Sequence, residues 1–185
     1  MILFRCFPWD REAGQRVRGG PLWFPRMLQG DGRHDNPSLY GCLYLSTEPV
    51  SPLVERLARF RGRGLTTGKL TTAGRAVALA AVALPEEAEI VDLDEPAVLA
   101  SEDLRPSLVA TGERSLTQAY AARLFGSHPD AAGLRWWSTF ESRWPNVTVF
   151  DRAADTLAVE DVHALTLEDD VVDEAARFLG LPVVA

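Results

Sequence analysis

The chain has 185 residues, of which 46% are hydrophobic and 24% are charged, and its formal net charge is −7. These proportions are typical of one globular domain with a substantial core, and they exclude an intrinsically disordered chain. The acidic balance argues against direct binding of nucleic acid, because proteins that bind the phosphate backbone normally carry a basic face. A small anionic ligand needs only a local basic pocket, so it remains compatible with this charge.

The first half of the chain shows two strand patterns and one helix pattern. Ile2 to Phe7 is predicted to be a strand, followed by a polar loop from Pro8 to Gly20. Cys42 to Ser46 is predicted to be a second strand. Pro49 to Phe60 is predicted to be a helix, because its apolar residues share one face and a proline suits the first turn.

The second half continues to alternate apolar runs with helical patterns. The predicted strands are Ala76–Leu84, Glu89–Leu93, Gly133–Trp137, Val147–Phe150 and Leu157–Val162, and the predicted helices are Ser115–Phe125 and Glu168–Leu179. No repeat and no Gly/Ser linker divides the chain. We therefore predict a single α+β domain over residues 1–185, with a mixed β-sheet flanked by helices.

The N-terminus and the cysteines indicate a cytoplasmic protein. Met1 to Arg5 lacks the basic start and long apolar core of a signal peptide, and no apolar run approaches the ~18 residues of a membrane span. Cys6 and Cys42 lie in apolar runs without metal-ligand spacing, which favours buried free thiols over a disulfide. We expect no contact with a membrane.

Several common catalytic motifs are absent from the sequence. Gly68-Lys69 lacks both the earlier glycine and the following Ser or Thr of a P-loop. The chain has no dinucleotide-binding glycine fingerprint and no Gly-x-Ser-x-Gly elbow. The histidines, His34, His128 and His163, are far apart in the sequence, so we expect no metal cofactor.

Two arginines are candidates for binding an anion. Arg5 lies among apolar neighbours in the first predicted strand, where a guanidinium needs either an anionic ligand or a structural salt bridge. Arg33 lies in a turn rich in glycine and aspartate, where its fork of donors and nearby backbone N–H groups suit phosphate oxygens. A solvated loop arginine is the alternative for Arg33.

Four other side chains have both a functional and a structural interpretation. Glu55 falls opposite the apolar stripe of its predicted helix, so it lines a cleft or is simply solvated. Tyr44 is a site residue or a packed strand tyrosine. Ser115 has capping-box spacing to Gln118 at a helix start, which is also an anion site. Ser138 follows a predicted strand as a turn residue or a site residue.

The order of these residues resembles the RES domain family, which is named for its arginine, glutamate and serine. The segments that carry the resemblance are Phe4-Arg5, Gly32 to Pro37, Leu43-Tyr44-Leu45, Val54-Glu55, Ser115 to Gln118 and Gly133 to Ser138. The resemblance covers about residues 2–150 and leaves 151–185 as a C-terminal extension with a strand and a helix. It implies a fold related to that of ADP-ribosyltransferase toxins.

The resemblance also implies a substrate and a partner. Studied RES proteins consume NAD as toxins, either by phosphorolysis with inorganic phosphate or by transferring ADP-ribose to a protein. Many are held inactive by an Xre-type antitoxin, which predicts a separate protein partner for this chain, and Trp9, Trp23 and Phe24 are candidate contacts. The resemblance leaves open whether the protein is a homo-oligomer.

Carried over residue by residue, the resemblance assigns roles in the cleavage of the nicotinamide–ribose bond. Arg5 and Arg33 match the family's two arginines and are expected to hold the pyrophosphate or an incoming phosphate, and Tyr44 is expected to stack. Glu55 is expected to stabilise the oxocarbenium-like ribose. Ser115 is the first candidate for the serine that orients the ribose, and Ser138 is the second.

The chain departs from the family in the loop that carries Arg33. The family's common Gly-Arg-Trp-Asn-Pro is replaced by Gly32-Arg33-His34-Asp35-Asn36-Pro37, which has one extra residue and no tryptophan. Trp137 stands where the family has a proline before the serine, and Cys6 stands where some members have tyrosine. These changes keep a second hypothesis open, namely a non-catalytic module that binds a nucleotide or a protein partner.

Overall fold

The computed structural model describes residues 1–184, which divide into two compact units. The terminal unit consists of Met1–Trp23, Ser46–Ala83 and the chain from Ala158 onward. The central unit consists of Phe24–Leu45 and Leu84–Leu157. Each unit is therefore assembled from segments that are distant in the sequence, and its packing depends on long-range contacts.

The terminal unit is built on antiparallel strands. The long strands β1 (Ile2–Pro8) and β4 (Arg75–Ala83) pair along their length, from Ile2 opposite Ala83 to Pro8 opposite Val77. Two more strands pair with β4, and they are β3 (Thr71–Thr72) and β8 (Ala158–Ala164). The strands are numbered in chain order. Strands β2, β5, β6 and β7 belong mainly to the central unit.

Two helices complete the terminal unit, α1 (Val50–Leu57) and α5 (Asp170–Leu179), and they pack against each other. The apolar residues of α1 recur at helical spacing and are buried, and they are Val50, Leu53, Val54 and Leu57. Helix α1 also contacts β1, so the stripe predicted from the sequence faces the strand. Helix α5 ends at Gly180, whose φ of 66° is the left-handed conformation that glycine adopts without steric cost.

The central unit contains a mixed sheet. β5 (Ile90–Asp92) runs parallel to β6 (Gly133–Trp137), and β6 runs antiparallel to β7 (Pro145–Phe150). On the far side of β7 lies β2 (Cys42–Ser46), whose last residue belongs to the terminal unit. A βα connection separates β5 from β6, as parallel pairing requires.

The helices of the central unit are α2 (Pro96–Ser101), α3 (Pro106–Ala110) and α4 (Arg114–Ser127). Their apolar residues join the strands in one core, in which the aromatic rings of Tyr40, Phe125 and Phe150 lie 4.4–5.0 Å apart between centroids. Such ring pairs stabilise a core beyond the area that they bury.

The predicted α+β class with a mixed sheet and flanking helices is confirmed. Every strand and helix predicted from periodicity is present, although the helix from Pro49 to Phe60 is an α-helix only as far as Leu57 and continues as a 3₁₀ turn. The short helices α2 and α3 were not predicted, because each has too few residues to display a periodic apolar face. A single domain over residues 1–185 stays a prediction.

Gly133 provides a test of this architecture. A Cβ atom at this position would clash with the Thr148 carbonyl of the paired strand. We therefore expect Gly133→Ala to lower the free energy of unfolding by ~1–3 kcal/mol in urea denaturation, as overpacking does. Gly126→Ala in α4 is the matched control, because no atom lies within 4 Å of its Cβ position. An equal effect of the two substitutions would contradict the assigned β6–β7 register.

Candidate functional site

The loop that carries Arg33 is closed by the carboxylate of Asp35. Its Oδ2 accepts hydrogen bonds from the backbone N–H groups of Gly30 and Gly32, at 2.8 and 2.7 Å. Its Oδ1 accepts a hydrogen bond from the Tyr44 hydroxyl at 2.7 Å. One buried carboxylate therefore ties both sides of the turn to strand β2. Bonds to a charged acceptor are stronger than those between neutral groups.

Helix α4 holds the same loop from its other side. The Gln118 side chain donates to the carbonyls of Gly30 and Gly32 at 2.9 Å each, and the Asn36 side chain donates to the Gln118 carbonyl at 2.9 Å. This corrects the capping-box prediction for Ser115 and Gln118. The N-cap of α4 is Glu113 and it makes no side-chain cap. Gln118 instead satisfies carbonyls more than 80 residues away in the sequence.

Arg33 is buried and not solvated, which excludes the solvated-loop alternative. Its Nη1 donates to the carbonyls of Val109 and Thr111 at 2.9 and 2.6 Å. Its guanidinium lies 4.8 Å from the centroid of the Trp136 ring, and its own carbonyl accepts a 2.5 Å hydrogen bond from Thr117. One end of the donor fork is thus occupied by backbone carbonyls at the C-terminal end of α3.

Tyr44 has a hydroxyl that is held from two directions. It accepts a hydrogen bond from the backbone N–H of His34 at 2.9 Å while it donates to Asp35. Burial, and then the nearby Cys42 and Asp35, raise the pKa of Tyr44 above its ordinary value. The hydroxyl therefore stays neutral, and it can keep both hydrogen bonds at any physiological pH.

His34 anchors the loop to two elements of the central unit. Its ring is fully buried, with Nδ1 2.8 Å from the Thr148 hydroxyl of β7 and Nε2 2.9 Å from the Tyr120 hydroxyl of α4. A neutral imidazole has one donor and one acceptor, and a hydroxyl can satisfy either. Burial, and then the charges of Arg33 and Arg114, lower the pKa of His34 well below its ordinary value. The sequence around His34 does not predict these contacts, because Tyr120 and Thr148 lie 86 and 114 residues further along the chain.

The two candidate serines both lie in the central unit and differ in exposure. Ser115 is exposed in the first turn of α4. Ser138 is buried directly after β6, where its Oγ accepts a hydrogen bond from the Phe140 N–H at 3.2 Å and its N–H donates to the Trp144 carbonyl at 3.1 Å. Ser138 directly follows β6 as expected, and its role in the site stays a prediction.

Arg5 lies in the terminal unit, on β1, with no acidic partner among residues 1–184. Its Nη1 donates to the Pro21 carbonyl at 2.7 Å, and its guanidinium lies 5.2 Å from the centroid of the Phe7 ring. Burial lowers the pKa of Arg5 to about 10, and only the neighbouring Cys6 thiol opposes this change. The structural salt bridge considered for Arg5 is therefore not formed in this part of the chain.

Glu55 also lies in the terminal unit, on the exposed face of α1. Because α1 packs on β1, Arg5 and Glu55 belong to two elements that are in contact. The structure thus groups Arg33, Tyr44, Ser115 and Ser138 in the central unit, and Arg5 and Glu55 in the terminal unit.

Three further features bear on the predicted chemistry. Both cysteines are free thiols; Cys42 is buried and Cys6 is half-buried, and burial raises the pKa of Cys6 to about 12. Within residues 1–184, no cluster of three or more His, Cys, Asp or Glu side chains is arranged to hold a metal ion. In the same residues, no helix combines the length and apolar character needed to cross a membrane.

The buried His34 predicts that stability depends on pH. Its folded-state pKa lies below the unfolded value of about 6.5, so its contribution is complete above that pH and is lost as the pH falls. We expect urea denaturation to show a loss of up to ~1.4 kcal/mol per pH unit below about pH 6.5. His34→Gln keeps a donor and an acceptor but does not titrate. The difference in unfolding free energy between the wild type and this variant therefore removes the contribution of the other histidines. An imidazolium signal for His34 in NMR spectra at about pH 6 would contradict the prediction.

The comparisons with known proteins agree with this architecture. The family model of the RES domain matches residues 3–170. No curated protein matches the sequence at a significant level. Among solved structures, a chain from the crystal structure of the M. tuberculosis MbcT-MbcA toxin-antitoxin complex matches with a TM-score of 0.58 at 18% identity, and the match covers 97% of this chain and 87% of that chain. The likeness shows a shared fold, consistent with the ADP-ribosyltransferase-like fold expected from the sequence.

The family match extends over nearly all of the chain and includes the loop with its extra residue. It supports the general expectation of an NAD-related enzyme of the toxin class. It does not distinguish between the reactions that such an enzyme could catalyse. The RES resemblance recognised in the order of short motifs is confirmed, and the chain belongs to the RES domain family.

Proposed function

We propose that this protein is an NAD-consuming toxin that cleaves the bond between nicotinamide and ribose. The observation that carries the proposal is that two contacting elements of the terminal unit carry an arginine and an exposed glutamate. Arg5 has no acidic partner within residues 1–184, and α1, the helix that packs on its strand, exposes Glu55. A partly buried guanidinium without a carboxylate favours an anionic ligand, and the pyrophosphate of NAD is one.

One carboxylate is sufficient for this reaction. The nicotinamide ring of NAD is cationic, so when the N-glycosidic bond breaks its electron pair neutralises the ring nitrogen, and the leaving group needs no general acid. The main demand is stabilisation of the positive charge that develops on the ribose. Glu55 supplies a negative charge for this purpose, either directly or through the ribose hydroxyls.

The remaining roles in this proposal are carried over from the resemblance to the family. Tyr44 stacks on the dinucleotide, and Ser115 orients the ribose, because its exposed hydroxyl can be reached by a substrate. Ser138 is the second candidate for this role. Arg33 contributes positive charge, although its Nη1 is bonded to Val109 and Thr111, so we assign the larger share of phosphate binding to Arg5.

Inorganic phosphate is the proposed acceptor of the ADP-ribose group. A phosphate oxygen forms the new bond to the anomeric carbon as the bond to nicotinamide breaks, and the products are ADP-ribose phosphate and nicotinamide. Purified protein incubated with NAD, with and without phosphate, distinguishes the acceptors by mass spectrometry. Free ADP-ribose would indicate hydrolysis, and a modified protein would indicate ADP-ribosylation. No release of nicotinamide under any condition would contradict the proposal and favour a binding module.

A toxin that removes NAD must be restrained in the cell that makes it. We propose a separate antitoxin protein of Xre type as the restraining partner, since the acidic chain is poorly suited to restraint through nucleic acid. Trp9, Trp23 and Phe24 are all half-buried, so each keeps some surface for such a contact. Assembly of the chain into a homo-oligomer stays a prediction.

Glu55→Gln tests the assigned carboxylate. We expect it to abolish NAD loss without changing the free energy of unfolding, because an exposed side chain contributes little to the core. Glu174→Gln, at an exposed position on α5 of the same unit, is the matched control and should keep full activity. Expressed alone in a heterologous bacterium, the wild type should lower NAD and stop growth, whereas Glu55→Gln should not. Turnover by Glu55→Gln would remove Glu55 from the mechanism.

Lysine substitutions separate the two arginines. Arg5→Lys, measured in the inactive Glu55→Gln background, should weaken NAD binding by ~1.5–3 kcal/mol in calorimetry, because lysine loses the planar fork. Arg33→Lys should instead lower the free energy of unfolding by ~1–3 kcal/mol, because two buried carbonyls lose their donor. Unchanged NAD affinity in Arg5→Lys would show that Arg5 does not bind phosphate.

A further inference from the structure

The extra residue in the Arg33 loop has a specific structural use. Compared with the family's Gly-Arg-Trp-Asn-Pro, this chain has His34 and Asp35 in place of the single tryptophan. The Asp35 side chain is only 5% exposed, and both of its oxygens are occupied by Gly30, Gly32 and Tyr44. The two residues at this position therefore make contacts within the loop, and the Tyr44 contact of Asp35 reaches β2.

The Tyr44 hydroxyl is fixed by the two residues that differ from the family. It accepts a hydrogen bond from the backbone N–H of His34 and donates one to Asp35, so both its donor and an acceptor position are used. Gly32 permits this approach, because a Cβ at that position would lie 2.6 Å from the Tyr44 oxygen and 2.5 Å from Asp35 Oδ1. A side chain at position 32 would separate the two groups.

The backbone that supplies this N–H is itself held rigidly. The His34 ring bridges Tyr120 on α4 and Thr148 on β7, and Thr148 also accepts a 3.1 Å hydrogen bond from the Trp136 indole. The Tyr44 hydroxyl is therefore held in place through His34 by a helix and a strand. Positions fixed in this way are suited to a binding group that must be in place before its ligand arrives.

We propose that Asp35 and His34 are positioning residues that hold the Tyr44 side chain ready for NAD, replacing the missing tryptophan of the loop. This inference rests on the proposed function and adds two residues to its site. Neither residue is assigned a contact with the reacting atoms. Their contribution is to spare NAD the entropic cost of immobilising Tyr44, a cost that otherwise reduces affinity.

Asp35→Asn is the variant that tests the inference, with KM and kcat measured separately. The amide keeps the size of the side chain but cannot accept from both glycines and from Tyr44 together. We expect KM for NAD to rise about 2- to 12-fold with little change in kcat, which is the effect of one side chain that must be ordered on binding. Glu102→Gln is the matched control, since this carboxylate of the central unit accepts from Arg123 and contacts His128. Its KM should not change.

Tyr44→Phe provides an independent measurement if Asp35→Asn does not fold. It removes the hydroxyl but leaves the bonds between Asp35 and the glycines, and it should raise KM by a similar factor. In the double variant the two increases should not multiply, because both substitutions remove the same hydrogen bond. A purely structural role of Asp35 would instead lower the unfolding free energy and leave KM unchanged.

The possible failures are distinguishable. If the wild type consumes no NAD, the proposed function is wrong and this inference is wrong with it. If the wild type is active and Tyr44→Phe keeps the wild-type KM, only the inference is overturned. Independent, multiplying effects of Asp35→Asn and Tyr44→Phe would also overturn it, because the two residues would then not act through each other.

Discussion

The central unit depends on a buried, neutral histidine. His34 is completely enclosed, and its two ring nitrogens contact hydroxyls from α4 and β7. A charged imidazolium would be cut off from water by burial and would lie near the positive charges of Arg33 and Arg114, which is why the pKa of His34 is lowered. The fold of the loop from Gly30 to Asn36 therefore requires a protonation state that burial itself imposes.

The two arginines of the family motif have different surroundings and different hydrogen-bond partners. Arg33 stacks on Trp136 and donates to backbone carbonyls, so part of its hydrogen-bonding capacity serves the architecture of the central unit. Arg5 makes one hydrogen bond to a carbonyl and has no acidic partner among residues 1–184, so its positive charge is not compensated there. Two residues of the same type, both in apolar surroundings, thus have different energetic roles. Arg33 therefore contributes hydrogen bonds to the central unit, whereas the uncompensated charge of Arg5 favours an anionic ligand.

The altered loop was the reason to consider a non-catalytic module. In the structure this loop is well ordered by hydrogen bonds of Asp35 and His34. The Asp35 carboxylate accepts hydrogen bonds from three donors, and Gly32 leaves room for Asp35 and Tyr44 to approach closely. The substitutions replace one large aromatic residue by a polar network that reaches the same strand as Tyr44. Pre-organised side chains suit catalytic and binding sites alike, so the altered loop is compatible with an enzyme.

The sequence by itself determined the strands, the long helices, the free thiols and the family, since apolar periodicity is local and the order of motifs is retained along the chain. It also indicated Glu55 correctly as a residue on the exposed face of its helix. Only the tertiary structure decided that Arg33 is buried, because its acceptors lie 76 and 78 residues further along the chain. The same holds for Gln118, whose spacing from Ser115 predicted a helix cap but whose amide instead bonds to a loop that only folding brings within reach. Hydrogen-bond partners of this kind are chosen by proximity in space, and local sequence patterns carry no information about them.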